Sequence, residues 1–98
     1  MNEAQYQRKL IKRIEKLIPG CTVMKQNSEM FQGIPDLLIL SNDRWAMLEV
    51  KISANAEEQP NQRHYIGMFD EMSFASFINP ENEEAVLGDL QLALRSTR

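Results

Sequence analysis

The sequence predicts an α/β domain with the element order α-β-β-β-α-β-α, and three observations carry that prediction. A helical apolar period opens the chain, two short apolar runs separated by a turn follow, and helical and extended patterns then alternate to the end. Elements in that order build a mixed four-stranded sheet flanked by helices. At 98 residues, 43% of them hydrophobic, the chain has length for one core spanning residues 1–98 and none for a second domain.

The first helix is expected over about residues 3 to 18. Tyr6, Leu10, Ile14 and Leu17 share one face there, with Ile11 and Ile18 beside them, and Pro19-Gly20 ends the pattern. Residues 21 to 26 contain the β-branched Thr22 and Val23 and read as a short strand, followed by a polar loop that closes at Gly33. Asp36 to Leu40 is a buried strand, Ser41-Asn42-Asp43 a turn, and Trp45 to Lys51 the returning strand of a hairpin. Residues 52 to 59 are polar and loop-like. Pro60 suits the first turn of a second helix, which carries Tyr65, Ile66, Met68, Phe69 and Met72 on a broad apolar face and runs to about Glu71. Ser73 to Ile78 is a fourth strand, Asn79-Pro80 breaks it, and Val86, Leu87, Leu90, Ala93 and Leu94 mark a last amphipathic helix. The six methionines lie within elements and read as core filling, and Trp45 either packs under the first helix or stacks with a base, packing being the preferred reading.

Composition excludes several classes. No apolar run approaches the roughly 20 residues that span a bilayer, and the N-terminal residues have no signal-peptide core, so a cytoplasmic protein without a membrane partner is expected. A single cysteine, Cys21, rules out an internal disulfide framework and a cysteine-cluster zinc site. The net charge of −3 argues at first against a polyanion partner. Its distribution argues otherwise. Arg8, Lys9, Lys12, Arg13 and Lys16 face Glu15 alone, a local +4, whereas Asp70 to Arg98 holds six acids against two arginines, a local −4. The five cations recur at a spacing that makes a stripe opposite the apolar helix face, suited to phosphates; a plain solvated face would carry the same pattern.

The chemistry-bearing residues fall on the hairpin. Glu49 and Lys51 are two apart on one strand, so both side chains leave the same face, and antiparallel pairing about residues 41 to 44 sets Asp36 near them. Two converging carboxylates are hard oxygen ligands for Mg²⁺ or Mn²⁺, with the remaining positions open to water and a phosphate. That is the equipment of phosphodiester hydrolysis, in which metal takes up developing charge and the ammonium positions the nucleophile or balances the same charge. The plainer reading makes Glu49 and Lys51 a solvated strand face and Asp36 a turn residue. Charges inside otherwise apolar strands demand some explanation, which the plainer reading does not supply.

The stretches Gly33-Ile-Pro-Asp-Leu37, Leu48-Glu-Val-Lys51 and Gln59-Pro-Asn-Gln62-Arg-His-Tyr65 resemble the VRR-NUC family of the PD-(D/E)XK nuclease superfamily, whose small stand-alone members occur in phages. The resemblance covers nearly the whole chain and implies a restriction-endonuclease-like core. It implies that Asp36 and Glu49 bind the metal, that Lys51 is catalytic, and that Gln62 lies beside them on the following helix. It further implies a glutamate on the first helix as part of the site, and Glu3 matches that position; a carboxylate is also simply favourable at a helix N-terminus. The loop from Asn27 to Gln32 departs from the expected pattern in having no basic residue. His64 receives no role.

The expectation is therefore a Mg²⁺- or Mn²⁺-dependent endodeoxyribonuclease acting on branched DNA of the Holliday-junction kind, in a bacterial or phage-infected cell. Leu92, beside the main stripe of the last helix, adds the expectation of a homodimer. Two rivals stand beside it. One is a catalytically weak DNA-binding module on the same scaffold; the other is a phage inhibitor of a host enzyme that works through the acidic C-terminal half.

Overall fold

The computed structural model describes residues 1–95. Seven elements follow in the expected order: α1 (Glu3–Leu17), β1 (Thr22–Lys25), β2 (Leu37–Ser41), β3 (Arg44–Val50), α2 (Gln62–Met72), β4 (Phe74–Ile78) and α3 (Glu83–Ala93). They form a single four-stranded sheet in the order β1-β2-β3-β4. The first three strands are antiparallel and β4 joins β3 in parallel. That mixture follows from the connections: a two-residue link returns β2 onto β3, whereas β4 is reached through a helix, which a parallel neighbour requires.

Side-chain alternation divides the sheet into two faces. Leu37, Ile39, Ala46, Leu48, Val50 and Ile78 point to one side and meet Tyr6, Leu10 and Ile14 of α1 and Val86, Leu87 and Leu90 of α3 in the main core. On the other side α2 lies over β3 and β4. Trp45 meets Phe69 there edge to face, with ring centroids 6.1 Å apart. Trp45 thus packs under the second helix and not the first, because strand alternation places it opposite Ala46, whose side faces α1 and α3.

α1 starts where a capping box closes it: the Asn2 side chain accepts from the Gln5 amide at 2.8 Å, and the Gln5 side chain accepts from the Asn2 amide at 2.9 Å. The second helix begins later than Pro60 suggests. Its cap is Asn61, in the left-handed region at φ 72°, a conformation asparagine tolerates better than most residues, and helical geometry starts only at Gln62. This turn decides which way Gln62 faces. The methionines also differ from expectation, since only Met47 of the six is buried. Met24 stands on the part of the outer sheet face that α2 leaves uncovered, Met30 sits in the loop before β2, and Met68 and Met72 flank the outer side of α2. Among the described residues no helix is long and apolar enough to cross a membrane.

Candidate active site

The register of the hairpin brings the predicted residues to one end of the sheet. Leu37 pairs with Leu48, so the residue before it, Asp36, falls opposite Glu49. Asp36 Oδ2 accepts a 2.9 Å hydrogen bond from the Val50 amide, which orients the carboxyl across the ladder. Val50 is the last residue of β3, and the chain continues to Lys51, whose own amide donates to the Ile78 carbonyl at 2.9 Å. Lys51 is therefore held at the mouth of the sheet by β4. Its position depends on a strand pairing that lies 27 residues away in sequence.

Glu49 and Lys51 are both buried, at 2% and 7% exposure, which excludes the solvated-face reading. Gln62 links them. Its Nε2 donates to Glu49 Oε2 at 2.9 Å, and its Oε1 accepts from Lys51 Nζ at 2.7 Å and from the Gln59 amide at 2.8 Å. Lys51 Nζ also donates to the Glu57 carbonyl at 2.9 Å and lies 3.8 Å from Glu49 Oε2. One carboxamide thus sets the spacing between a buried anion and a buried cation.

The second oxygen of Glu49, Oε1, is buried and no donor group reaches it. A buried carboxylate oxygen without a donor is costly, and the carboxyl responds by holding its proton: burial first, then the charge of Asp36 and a hydrogen bond between the two carboxyls, push the Glu49 pKa up to about 8, while Lys51 opposes them. Glu3, at the start of α1, feels the same cluster. Partial burial and Asp36 raise its pKa while Lys51 opposes them, which places the Glu3 carboxyl within electrostatic reach of both residues.

This donor set fits a hard divalent cation in chemistry: carboxylate oxygens, one of them orphaned, with mutual repulsion that a cation would relieve. Among the described residues no three His, Cys, Asp or Glu side chains are grouped closely enough to form a complete protein cage. Two carboxylates with the remaining positions left to water and substrate phosphate are the usual arrangement for Mg²⁺.

The basic stripe on α1 is divided by the fold. Arg13 forms ion pairs with Glu83 and Glu84 of α3, while the Tyr6 hydroxyl donates to Glu83 at 2.8 Å. The carboxylates of α3 neutralise Arg13, which docks that helix onto α1. Lys9, Lys12 and Lys16 border a groove of about 530 Å³ along α1, shared with Pro80 and Glu83, and Arg8 lies on the adjoining side with Met1 and Gln5. Glu49, Asp36 and Lys51 do not line these grooves, so the structure does not bring the cations and the carboxylates into one pocket.

Three contributors escape the sequence pattern. The Glu57 carbonyl and the Gln59 amide act through the backbone, which residue type does not reveal. Gln26 closes the base of the loop before β2, its amide donating to the Asp36 carbonyl at 2.8 Å and its side chain to the Pro35 carbonyl at 3.0 Å. Its polar side chain at the end of a strand is the signal that marks it.

A mixed four-stranded sheet with helices on both faces defines the class as an α/β domain. The particular fold is that of the VRR-NUC domain. A solved structure described as a VRR_NUC domain matches 95% of this chain and 97% of its own length, with a TM-score of 0.68 and 26% identity. A second, described as a VRR_NUC domain protein, matches 95% of this chain and 88% of its own, with a TM-score of 0.64 and 17% identity. No family model and no curated protein matches the chain.

Proposed function

We propose that this chain is a metal-dependent endodeoxyribonuclease that hydrolyses phosphodiester bonds of branched DNA. The observation that carries the reading is the buried Glu49 carboxyl, with one oxygen that no donor reaches and the Asp36 carboxyl opposite it on the hairpin. Such a pair destabilises the fold unless a cation joins it, and natural chains retain unfavourable pairs of this kind at working sites.

Asp36 and Glu49 would hold Mg²⁺ or Mn²⁺, with Glu3 holding a further ion or its water. Bound there, such an ion would lower the pKa of a water and stabilise negative charge on the phosphate. The chain's own residues do the rest. Lys51 holds its ammonium beside the carboxylates, where it orients the attacking water and balances charge as the phosphorane forms. Gln62 keeps that ammonium and the Glu49 carboxylate at fixed separation, so neither collapses onto the other. The Val50 amide keeps Asp36 turned towards Glu49. Arg8, Lys9, Lys12 and Lys16 attract the DNA backbone, while Arg13 contributes less because the carboxylates of α3 already face it. A homodimer, with two such sites related by a two-fold axis, would suit the paired strands of a Holliday junction.

The deciding experiment is cleavage of labelled four-way junction, flap, single-stranded and linear duplex DNA in Mg²⁺, Mn²⁺ or EDTA, with Asp36→Ala and Lys51→Ala run alongside. Metal-dependent products absent from both variants support the proposal. Binding without cleavage refutes it in favour of a DNA-binding module.

A further inference from the structure

The loop between β1 and β2, which ends at Asp36 and is tied to the turn before Gln62, places two large apolar side chains in solvent. Met30 is 78% exposed and Phe31 56% exposed. Single exposed apolar residues are ordinary, but two consecutive ones on an anchored loop are not explained by the core, which they do not reach.

The loop is held at several points. Its base is closed by Gln26 bonding the Asp36 carbonyl, and the Ile34 amide donates to the Phe31 carbonyl at 3.1 Å. Gly33, at φ 92°, lies so close to the turn before α2 that an added Cβ would stand 2.5 Å from the Pro60 carbonyl oxygen and 2.9 Å from Asn61 atoms. Only glycine permits that approach. Asn61 Nδ2 donates to the Gln32 carbonyl at 3.4 Å, and the next residue, Gln62, grips Glu49 and Lys51. Phe31 is thus one residue from a backbone group tied directly to the turn that carries Gln62.

We propose that Met30 and Phe31 form an apolar contact for an unstacked nucleobase beside the scissile phosphate. This rests on the nuclease reading above for its geometry. The loop carries Asn27, Ser28, Glu29 and Gln32 and no cation, so it has nothing with which to attract a phosphate. An exposed ring and a polarizable thioether instead suit the face of a base, and stacking of that kind is indifferent to sequence. In continuous duplex every base face is covered by its neighbours; at a gap, flap or branch one is free. The contact therefore selects substrates by an unpaired base near the cut.

The test uses DNA carrying 2-aminopurine at an unpaired position of a flap, and matched duplex of the same sequence, with Ca²⁺ in place of Mg²⁺ so that binding is read without cleavage. Phe31→Ala should weaken binding of the flap by about tenfold, the effect of losing one stacked base, and should abolish the change in 2-aminopurine fluorescence. Binding of matched duplex should weaken by much less. Phe31→Tyr, which keeps the ring, should restore both signals, and Met72→Ala, removing an exposed methionine from α2, should change neither.

Equal weakening of flap and duplex binding by Phe31→Ala, or none of either, overturns the proposal. So does a wild-type dimer that Phe31→Ala converts to monomer in light scattering, since the side chain then serves self-association. Failure of the nuclease reading appears separately: flap binding that depends on Phe31 without cleavage in Mg²⁺ leaves the base contact standing and removes the enzyme.

Discussion

Replacing Glu49 by glutamine should make the metal-free protein more stable at alkaline pH. In the unfolded chain the carboxyl titrates near its ordinary value of 4.5, whereas in the fold burial and Asp36 raise it to about 8. Between those values the folded state holds a proton that the unfolded state has lost, so stability falls as pH rises through this window and is fully present only below it. From about pH 5.5 to about pH 8 the loss amounts to about 3 kcal/mol at 1.36 kcal/mol per pH unit, a large share of a small domain's stability. Glutamine has no proton to lose, and its carboxamide oxygen can still accept from Gln62. Glu49→Gln should therefore match the wild type near pH 5.5 and exceed it by about 3 kcal/mol near pH 8, a Tm difference of roughly 10–20 °C. Urea unfolding in EDTA at a series of pH values measures this directly. Parallel curves for the two proteins across the window would refute the argument that Glu49 is a strained, proton-holding group.

Further outcomes follow from the same geometry. Mg²⁺ should raise the Tm of the wild type more at about pH 8 than at about pH 6, because the ion competes with the Glu49 proton, and should leave Glu49→Gln unmoved; thermal unfolding with and without metal checks this. Gln62→Ala should lower turnover by about 10²-fold and cost about 1–3 kcal/mol of stability, since Glu49 Oε2 and Lys51 Nζ each lose a buried partner. Lys9→Ala and Lys12→Ala should each reduce the slope of log affinity against log salt by about 1 in DNA titrations, whereas Arg13→Ala should lower the Tm and leave that slope nearly unchanged. Gly33→Ala should cost on the order of 2 kcal/mol, from its positive φ and its contact with Pro60, as read by chemical denaturation.

Much of the architecture is legible in the residues. The apolar period of α1, the hairpin signal around Asn42-Asp43 and the alternation of Trp45 and Glu49 with Ala46 and Leu48 are local patterns that report which face is buried. Asp36 opposite Glu49 follows from hairpin register alone, since a two-residue link leaves one way to pair the strands. Pro60 misleads about the start of α2 because intrinsic preference is weak beside tertiary demand: Gly33 occupies the space against Pro60 and Asn61, and the turn adopts a left-handed residue to deliver Gln62. The methionines mislead for a related reason, since hydrophobicity marks what is able to be buried and not what the available helices cover.

What the chain's residues determine by themselves is thus the order of elements, the two sheet faces and the meeting of Asp36 with Glu49, all consequences of short-range periodicity and a tight turn. The tertiary structure decides what those residues experience. Packing of α2 on β3 buries Glu49, whose Oε1 no donor reaches; β4 holds Lys51 at the sheet mouth; α3 removes Arg13 from the basic stripe. Desolvation and charge pairing depend on distances between segments far apart in sequence, and no local pattern encodes them.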